Sequence, residues 1–341
     1  MQHLHVFLFF GLAWLIILGM VRSQENDVPS PGCKYLISPG NITLSCPAGM
    51  DIPVNFDVTK IRKNVLEIKI AAGNGNILRS DAPPLPADLT ALRKITLYGF
   101  TNEYDTRIAI KRFLDNVKGH ITELRIYNSK LGFLEDTFLG GFDQLTKLDL
   151  SGCDIFAIDT DAFRGSQSSD PIMSVDLSGN SIESIDWAVF QPFSSKSLSL
   201  QLGSQKPGLQ SISCSQNYTF SRPIGSVGLY FNRLESLLPC VIDSLNYDAS
   251  STLYVDYNPF CPTDGMCGCP TMEPFLRFAC KDVPVNLVTG FKCGPANNQR
   301  SWTTSQMPPS APCGHSSGVQ RLLHTSWGIV VATALTLLSR L

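Results

Sequence analysis

Residues 145–155 read LTKLDLSGCDI and residues 172–182 read IMSVDLSGNSI. Both fit L-x-x-L-x-L-x-x-(N/C)-x-L, and they begin 27 residues apart. The alternating part predicts a short strand, the slot after it a turn, and the remainder an outer return segment. One such unit cannot bury its apolar face alone, so several must stack. The leucine-like side chains then point inward. Asn180 falls where the chain turns inside the stack, and a buried amide must be paired. It is expected to bond the backbone of neighbouring turns, so that Asn180→Leu costs about 1–3 kcal/mol. Cys153 holds the equivalent slot. A small buried structural thiol is favoured there over a reactive or metal-binding cysteine.

Weaker copies extend in both directions. Val65, Ile68 and Ile70 begin the first strand; Leu92, Ile95 and Leu97 the second; Ile121, Leu124 and Ile126 the third, with Ser129 in the asparagine slot. From the first strand to the fifth the spacings are 27, 29, 24 and 27 residues. These lie in the range of roughly 20–29 that characterises leucine-rich repeats. Phe138, Phe163 and Phe190 recur in the outer segments as convex-side core fillers. The sixth strand, 198–202, is irregular, and a loop is expected at 203–208. Leu229, Asn232 and Leu234 restore the pattern in the seventh. Leu253, Val255 and Asn258 make the eighth strand and the last turn. The predicted fold is α/β: a leucine-rich-repeat solenoid, or horseshoe, with a parallel concave sheet and disulfide-bonded terminal caps.

The ends carry other signals. Residues 1–23 contain an apolar run too short for a membrane span and read as a signal peptide. Residues 24–60 read as an N-terminal cap. It has a polar lead-in, and Cys33 and Cys46 flank a short strand. The cap resembles that of extracellular leucine-rich-repeat proteins, with fewer cysteines than usual. Residues 61–260 hold about eight repeats. Asn-Pro-Phe at 258–260, followed by Cys261, Cys267, Cys269, Cys280 and Cys293, resembles the cysteine-rich C-terminal cap of the same proteins and places it at 261–293. Cys261 is extra to that pattern, with Cys313 as its candidate partner; Cys214 is matched with Cys240. Eleven cysteines in an exported chain read as disulfides. Residues 294–318 form a Pro- and Ser-rich stalk. Small residues at Ser316, a polar spacer and an apolar tail over 319–341 match a glycosylphosphatidylinositol (GPI) attachment signal. A retained membrane helix is the alternative. Asn41 and Asn217 begin glycosylation sequons.

Chemistry is poorly supplied. Of five histidines, two lie in the signal segment and three at 120, 315 and 324. Only His120 could serve a folded site, from a turn before the third strand, so a Ser-His-Asp or Cys-His arrangement has one histidine to draw on. Cys267 and Cys269 read as disulfide cysteines rather than zinc ligands. Gly73 and Gly75 read as a turn, not a phosphate loop. Asp159 and Asp161 read as solvated charges on a convex return. No cofactor or metal is expected. A balance of 27 basic and 29 acidic residues gives no reason to expect nucleic acid.

What remains is the concave surface. Residues alternating with the inward leucines project from it: Lys69, Lys94, Thr96, Tyr98, Arg125, Tyr127, Asp149, Asp176, Tyr230 and Tyr254. Each alone reads as a solvated sheet residue. As a set they mix charge with tyrosine, which is common in interaction hot spots. The basic residues lie toward the N-terminal half and the aspartates beyond them. The expectation is a non-catalytic surface protein that binds an extracellular protein ligand or receptor and meets the membrane through a GPI lipid. The combined layout over 33–293 also resembles arthropod leucine-rich-repeat proteins of the Oplophorus-luciferin 2-monooxygenase non-catalytic subunit type. That resemblance implies a secreted accessory subunit with no catalytic residues of its own.

Overall fold

The computed structural model describes residues 24–27, 34–46, 64–76, 84–101, 103–165, 172–235, 237–246, 251–255, 257–259, 288–289, 291–293 and 300–302. Twelve strands form the main sheet in chain order. They are β1 (Gln24–Asp27), β2 (Lys34–Ser38), β3 (Asn41–Cys46), β4 (Glu67–Asn76), β5 (Lys94–Phe100), β6 (Glu123–Tyr127), β7 (Lys147–Asp149), β8 (Ile172–Asp176), β9 (Ser197–Gln201), β10 (Ser226–Gly228), β11 (Thr252–Tyr254) and β12 (Val288–Thr289). From β3 onward every pairing is parallel. Consecutive parallel neighbours joined by return segments make a solenoid, and the chain is a leucine-rich-repeat protein of the α/β class.

The physical logic is that of the repeat. Ile68, Ile95, Leu124, Leu148, Val175, Leu200, Val227 and Leu253 are all buried and occupy successive positions of one inward row. The core is therefore a continuous column. On the convex side, strand Phe133–Leu134 pairs with Ala157–Ile158, and Ser184–Asp186 with Ser211–Ser213. Phe138, Phe163 and Phe190 are buried there as expected, and Phe163 lies 5.5 Å, centroid to centroid, from Phe193.

The turn slot works as the repeat demands. Asn180, Asn232 and Asn258 are buried and donate through Nδ2 to carbonyls of their own and the preceding turn. Ser129 fills the slot with a hydroxyl that receives Phe100 N–H. The Cys153 thiol donates to the Ile126 carbonyl at 2.9 Å, and burial pushes its pKa up to about 12. It is neutral and unreactive.

Several expectations need correction. The sixth strand itself is regular, since β9 pairs in register with both neighbours, and the offset falls after it, in the loop expected at 203–208. Its slot is held by Gln205, which donates to the Leu177 and Leu202 carbonyls and accepts from Ile182 N–H. The lead-in at 24–27 is a strand, antiparallel to β2, and β2 and β3 form a hairpin around Pro39 and Gly40 (φ +76°) rather than one strand. Residues 73–75 are not a turn; they lie in β4, where the register to β5 slips between Ala71 and Asn76. Beyond the eighth repeat strand the sheet continues, with β12 pairing to β11. The 29-residue spacing accommodates a helix, α1 (Glu103–Leu114), whose Ala109, Ile110, Phe113 and Leu114 face the core. His120 ends the 3-10 helix Lys118–His120 and is half-buried.

Cys214 and Cys240 form the expected disulfide, clamping the segment before β10 to helix α2 (Pro239–Ser244). The bond closes a loop of 26 residues' separation. Replacing both cysteines by serine should cost about 3 kcal/mol by loop-closure entropy, read as a lower urea midpoint at unchanged m-value. Residues 1–23, Cys33, Cys261, Cys267, Cys269, Cys280, Cys313 and Ser316 lie outside the described residues, as do the side chains of Cys46 and Cys293. No helix among the described residues is long and apolar enough to cross a membrane.

Candidate functional site on the concave face

Register sorts the outward side chains of the sheet into rows. One row runs Glu67, Lys94, Glu123 and Lys147. The next runs Lys69, Thr96, Arg125, Asp149, Asp176, Gln201, Gly228 and Tyr254. Tyr98 and Tyr127 pair in a third row, to which Tyr230 belongs by repeat position. The expected residues are thus brought to one face, with Gln201 as an addition.

In the N-terminal half, charge alternates and is paired. Lys94 bridges Glu67 and Glu123 at 3.2 and 3.3 Å, and Lys147 reaches Glu123 at 3.4 Å. Arg125 donates from Nε to Glu123 at 2.6 Å. Burial alone would raise the Glu123 carboxyl, but Arg125 and Lys94 outweigh it and hold its pKa below the ordinary value. A lowered folded pKa stabilises the fold above the unfolded value of 4.5 and ceases to do so as pH falls through the folded value. The melting temperature should therefore fall on acidification below pH ~4.5, and Glu123→Gln should flatten that fall. The pairs are partly exposed, so Glu123→Gln should cost under about 1 kcal/mol at neutral pH. The lattice holds Arg125 through Glu123, and in the neighbouring row Tyr98 and Tyr127 pack with centroids 4.9 Å apart. Thr96 is only 7 % exposed and offers little surface.

Asp149 and Asp176 are less free than the sequence implies. Each accepts through Oδ1 from the residue two positions on, Ser151 at 3.1 Å (N) and 2.7 Å (Oγ), Ser178 at 2.9 and 2.6 Å. Both therefore shape their own turns, a role already encoded in the Asp-x-Ser spacing.

The C-terminal half is aromatic. The Tyr230 ring lies over two glycines: a Cβ at Gly203 would meet its Cε2 at 2.5 Å, and one at Gly228 its Cε1 at 2.9 Å. Burial, with the charge of Asp176, raises its phenol pKa. Tyr254 is exposed. Beside them stand two residues that sequence reasoning passed over. Phe231 and Tyr257 are stacked at 4.2 Å with planes 5° apart, and each is 53 % exposed. Both immediately precede a slot asparagine. That position is left-handed in every repeat from the third to the eighth: Asn128, Gly152, Gly179, Ser204, Phe231 and Tyr257 have φ between 48° and 69°. Two aromatics in a column suited to glycine and asparagine were the available signal.

Two clefts lie on the convex side, one lined by Lys111, Arg112, Asp115 and Lys118, the other by Thr160, Asp161, Arg164 and Gln191; neither lining contains histidine or cysteine. Asp159 accepts from Asp161 N–H, and Asp161 pairs with Arg164, as befits turn charges. No cluster among the described residues groups three His, Cys, Asp or Glu side chains suited to a metal. Asn41, exposed at the start of β3, stands in the concave row next to Glu67, while Asn217 is exposed outside the sheet, beyond Cys214.

No protein-family model matches the chain, and no curated protein matches its sequence significantly. Among solved structures it is similar to a chain of the Toll–Spatzle complex of Drosophila, with 12% identity and TM-score 0.32 over 68% of this chain and 42% of that one. It is also similar to human 5T4, or trophoblast glycoprotein, with 16% identity and TM-score 0.34 over 79% and 93% of the two chains. A chain of an octameric complex of Latrophilin 3, Unc5D and FLRT2 gives 16% identity and TM-score 0.30 over 82% and 99%. This chain spans less than half the length of the Toll-complex chain. At these scores the matches do not bear on what this chain binds, and its assignment to the leucine-rich repeats rests on the register and slot bonds described above.

Proposed function

We propose that this is a non-catalytic cell-surface protein that recognises an extracellular protein through its concave face. The observation that carries the reading is the N-terminal half of that face. There Tyr98 and Tyr127 pack together and Arg125 is held by Glu123, and all three keep part of their surface open among the described residues. Tyrosine and arginine fixed in place before binding lose little entropy on association. The Cys214–Cys240 bond supports an oxidising, extracellular setting. In this reading residues 1–23 direct export, residues 24–60 and 261–293 cap the repeats, and a GPI lipid replaces the tail at Ser316. Asn41 and Asn217 carry glycans, that on Asn41 bordering the concave face.

Three experiments test it. Phospholipase C treatment of intact cells expressing the full chain should release the protein into the medium. Retention would replace the lipid by a retained helix, and protein already in the medium would favour the secreted accessory subunit. Tyr98→Ala, Arg125→Ala and Tyr127→Ala combined should weaken capture of the partner at least about 100-fold without loss of the folded circular dichroism spectrum. Unchanged capture would move the site to the convex face or the caps. Asn41→Gln and Asn217→Gln should each remove one glycosidase-sensitive step in electrophoretic mobility.

A further inference from the structure

We infer that Tyr230, Phe231, Tyr254 and Tyr257 form a second docking point on the same face, which receives a lysine- or arginine-bearing segment of the partner protein. The inference rests on the protein-binding reading above and adds to it a location and a chemistry.

The first ground is backbone conformation. Phe231 (φ 52°) and Tyr257 (φ 58°) adopt the left-handed region, which bulky side chains resist. The fold does not require them there. The same turn is built in four earlier repeats with Asn128, Gly152, Gly179 and Ser204. Nor does burial compensate, because each ring is half exposed. Strain held at an exposed aromatic pair points to a use outside folding.

The second ground is that the ledge is preformed. Phe231 and Tyr257 stack face to face, Tyr230 meets Phe231 edge-on at 6.1 Å and 84°, and Gly203 and Gly228 leave the space in which the Tyr230 ring lies. Either glycine replaced by a larger residue would lift that ring.

The third ground is charge. Among the described outward residues of β8, β9, β10 and β11, Asp176 is the only charged one. It pairs in register with Asp149, and among the described residues neither carboxylate has a partner for its Oδ2. Arg233, two residues past Phe231, runs along Gly208. Aromatic faces beside carboxylates attract a guanidinium or ammonium group and repel an acidic one. Tyr, Ser, Thr, Gly and Gln make up the rest of the described outward residues of these strands, a composition that binds adaptably at low entropic cost.

The test uses the full-length protein and a display library of random short peptides, with the recovered peptides remade carrying a photo-crosslinker. Basic peptides should be enriched, and replacing their arginines by citrulline should weaken binding about 10-fold or more. Phe231→Gly with Tyr257→Gly should weaken it by a similar factor. Glycine suits the backbone there, as Gly152 and Gly179 show, so this variant keeps the fold. Crosslinks should fall on the ledge. Enrichment of acidic or neutral peptides, equal binding of the citrulline forms, or unchanged affinity in the double glycine variant would each overturn the proposal. Crosslinks confined to β5 and β6, lost with Tyr98, Arg125 and Tyr127, would overturn it while leaving the concave-face reading intact. Recovery of no peptide would also overturn it, and the triple alanine variant would still decide the broader reading on cells.

Discussion

Asn180→Leu should lower the stability of the repeat array by about 4–5 kcal/mol, well beyond an average point mutation. The side chain is fully buried and makes four hydrogen bonds. Its Oδ1 accepts from Cys153 N–H at 2.8 Å and Ile155 N–H at 3.1 Å, and its Nδ2 donates to the Leu150 and Leu177 carbonyls at 2.9 and 2.7 Å. Leucine has the same branched four-atom side chain with bulkier tips, so the substitution opens no cavity. The cost is three backbone groups left without partners in a dry core, Cys153 N–H, Ile155 N–H and the Leu150 carbonyl, each worth about 1–3 kcal/mol before relaxation; the Leu177 carbonyl keeps the Gln205 amide. The expectation from sequence, about 1–3 kcal/mol, named unpaired backbone groups without their number, and the structure raises it. Urea unfolding reads the change directly. A shift below about 1 kcal/mol would mean that the neighbouring turns re-pair without the amide. Cys153→Ala is the control. It removes one weak thiol bond to Ile126, so it should cost far less than Asn180→Leu although the two residues hold the same slot.

That difference marks how far the sequence could be read. Period and inward leucines were legible because burial imposes them on every repeat, and the slot asparagines because no other common residue offers two donors and an acceptor on so short a stem. Gln205 escaped because its longer stem and two extra residues before Leu209 hide the slot from a fixed-spacing pattern. Helix α1 escaped because a search for alternation passes over a 3.6-residue period; the long second spacing was its trace. The Pro39–Gly40 turn was visible as a dipeptide, but the apolar residues around it read as one strand instead of two. The concave set was legible as positions and not as roles. Alternation places Asp149 on the surface, but only the structure shows its Oδ1 committed to Ser151. Phe231 and Tyr257 were hidden because backbone handedness, not hydropathy, makes them unusual.

Trp187→Ala should cost about 3–5 kcal/mol and should do so unevenly along the solenoid. Trp187 opens the 3-10 helix Trp187–Phe193, which Asp186 caps by accepting Ala188 N–H. Burial works against the Asp186 charge, yet hydrogen bonds from Ala188 and Ser215 hold its pKa below the ordinary value, so the cap persists at neutral pH. The indole is 1 % exposed, packs edge-on against Phe190 at 5.1 Å, and donates from Nε1 to Ser244 Oγ at 2.8 Å. Tyr218 donates its hydroxyl to the Trp187 carbonyl. One side chain therefore ties the convex segment of the fifth repeat to helix α2, 57 residues on. In a structure whose repeats touch only neighbours, such a bridge sets the coupling between its two halves. Losing it should leave β5 and β6 protected while amide exchange quickens over 211–254, and thermal unfolding should separate into two steps. Trp187→Phe keeps much of the buried area and loses the Nε1 bond, so it should recover more than half of the stability and a single transition. Uniform loss of protection from β5 to β11 in the alanine variant would instead mean that the array unfolds as one body, with its coupling carried by the slot asparagines and the disulfide.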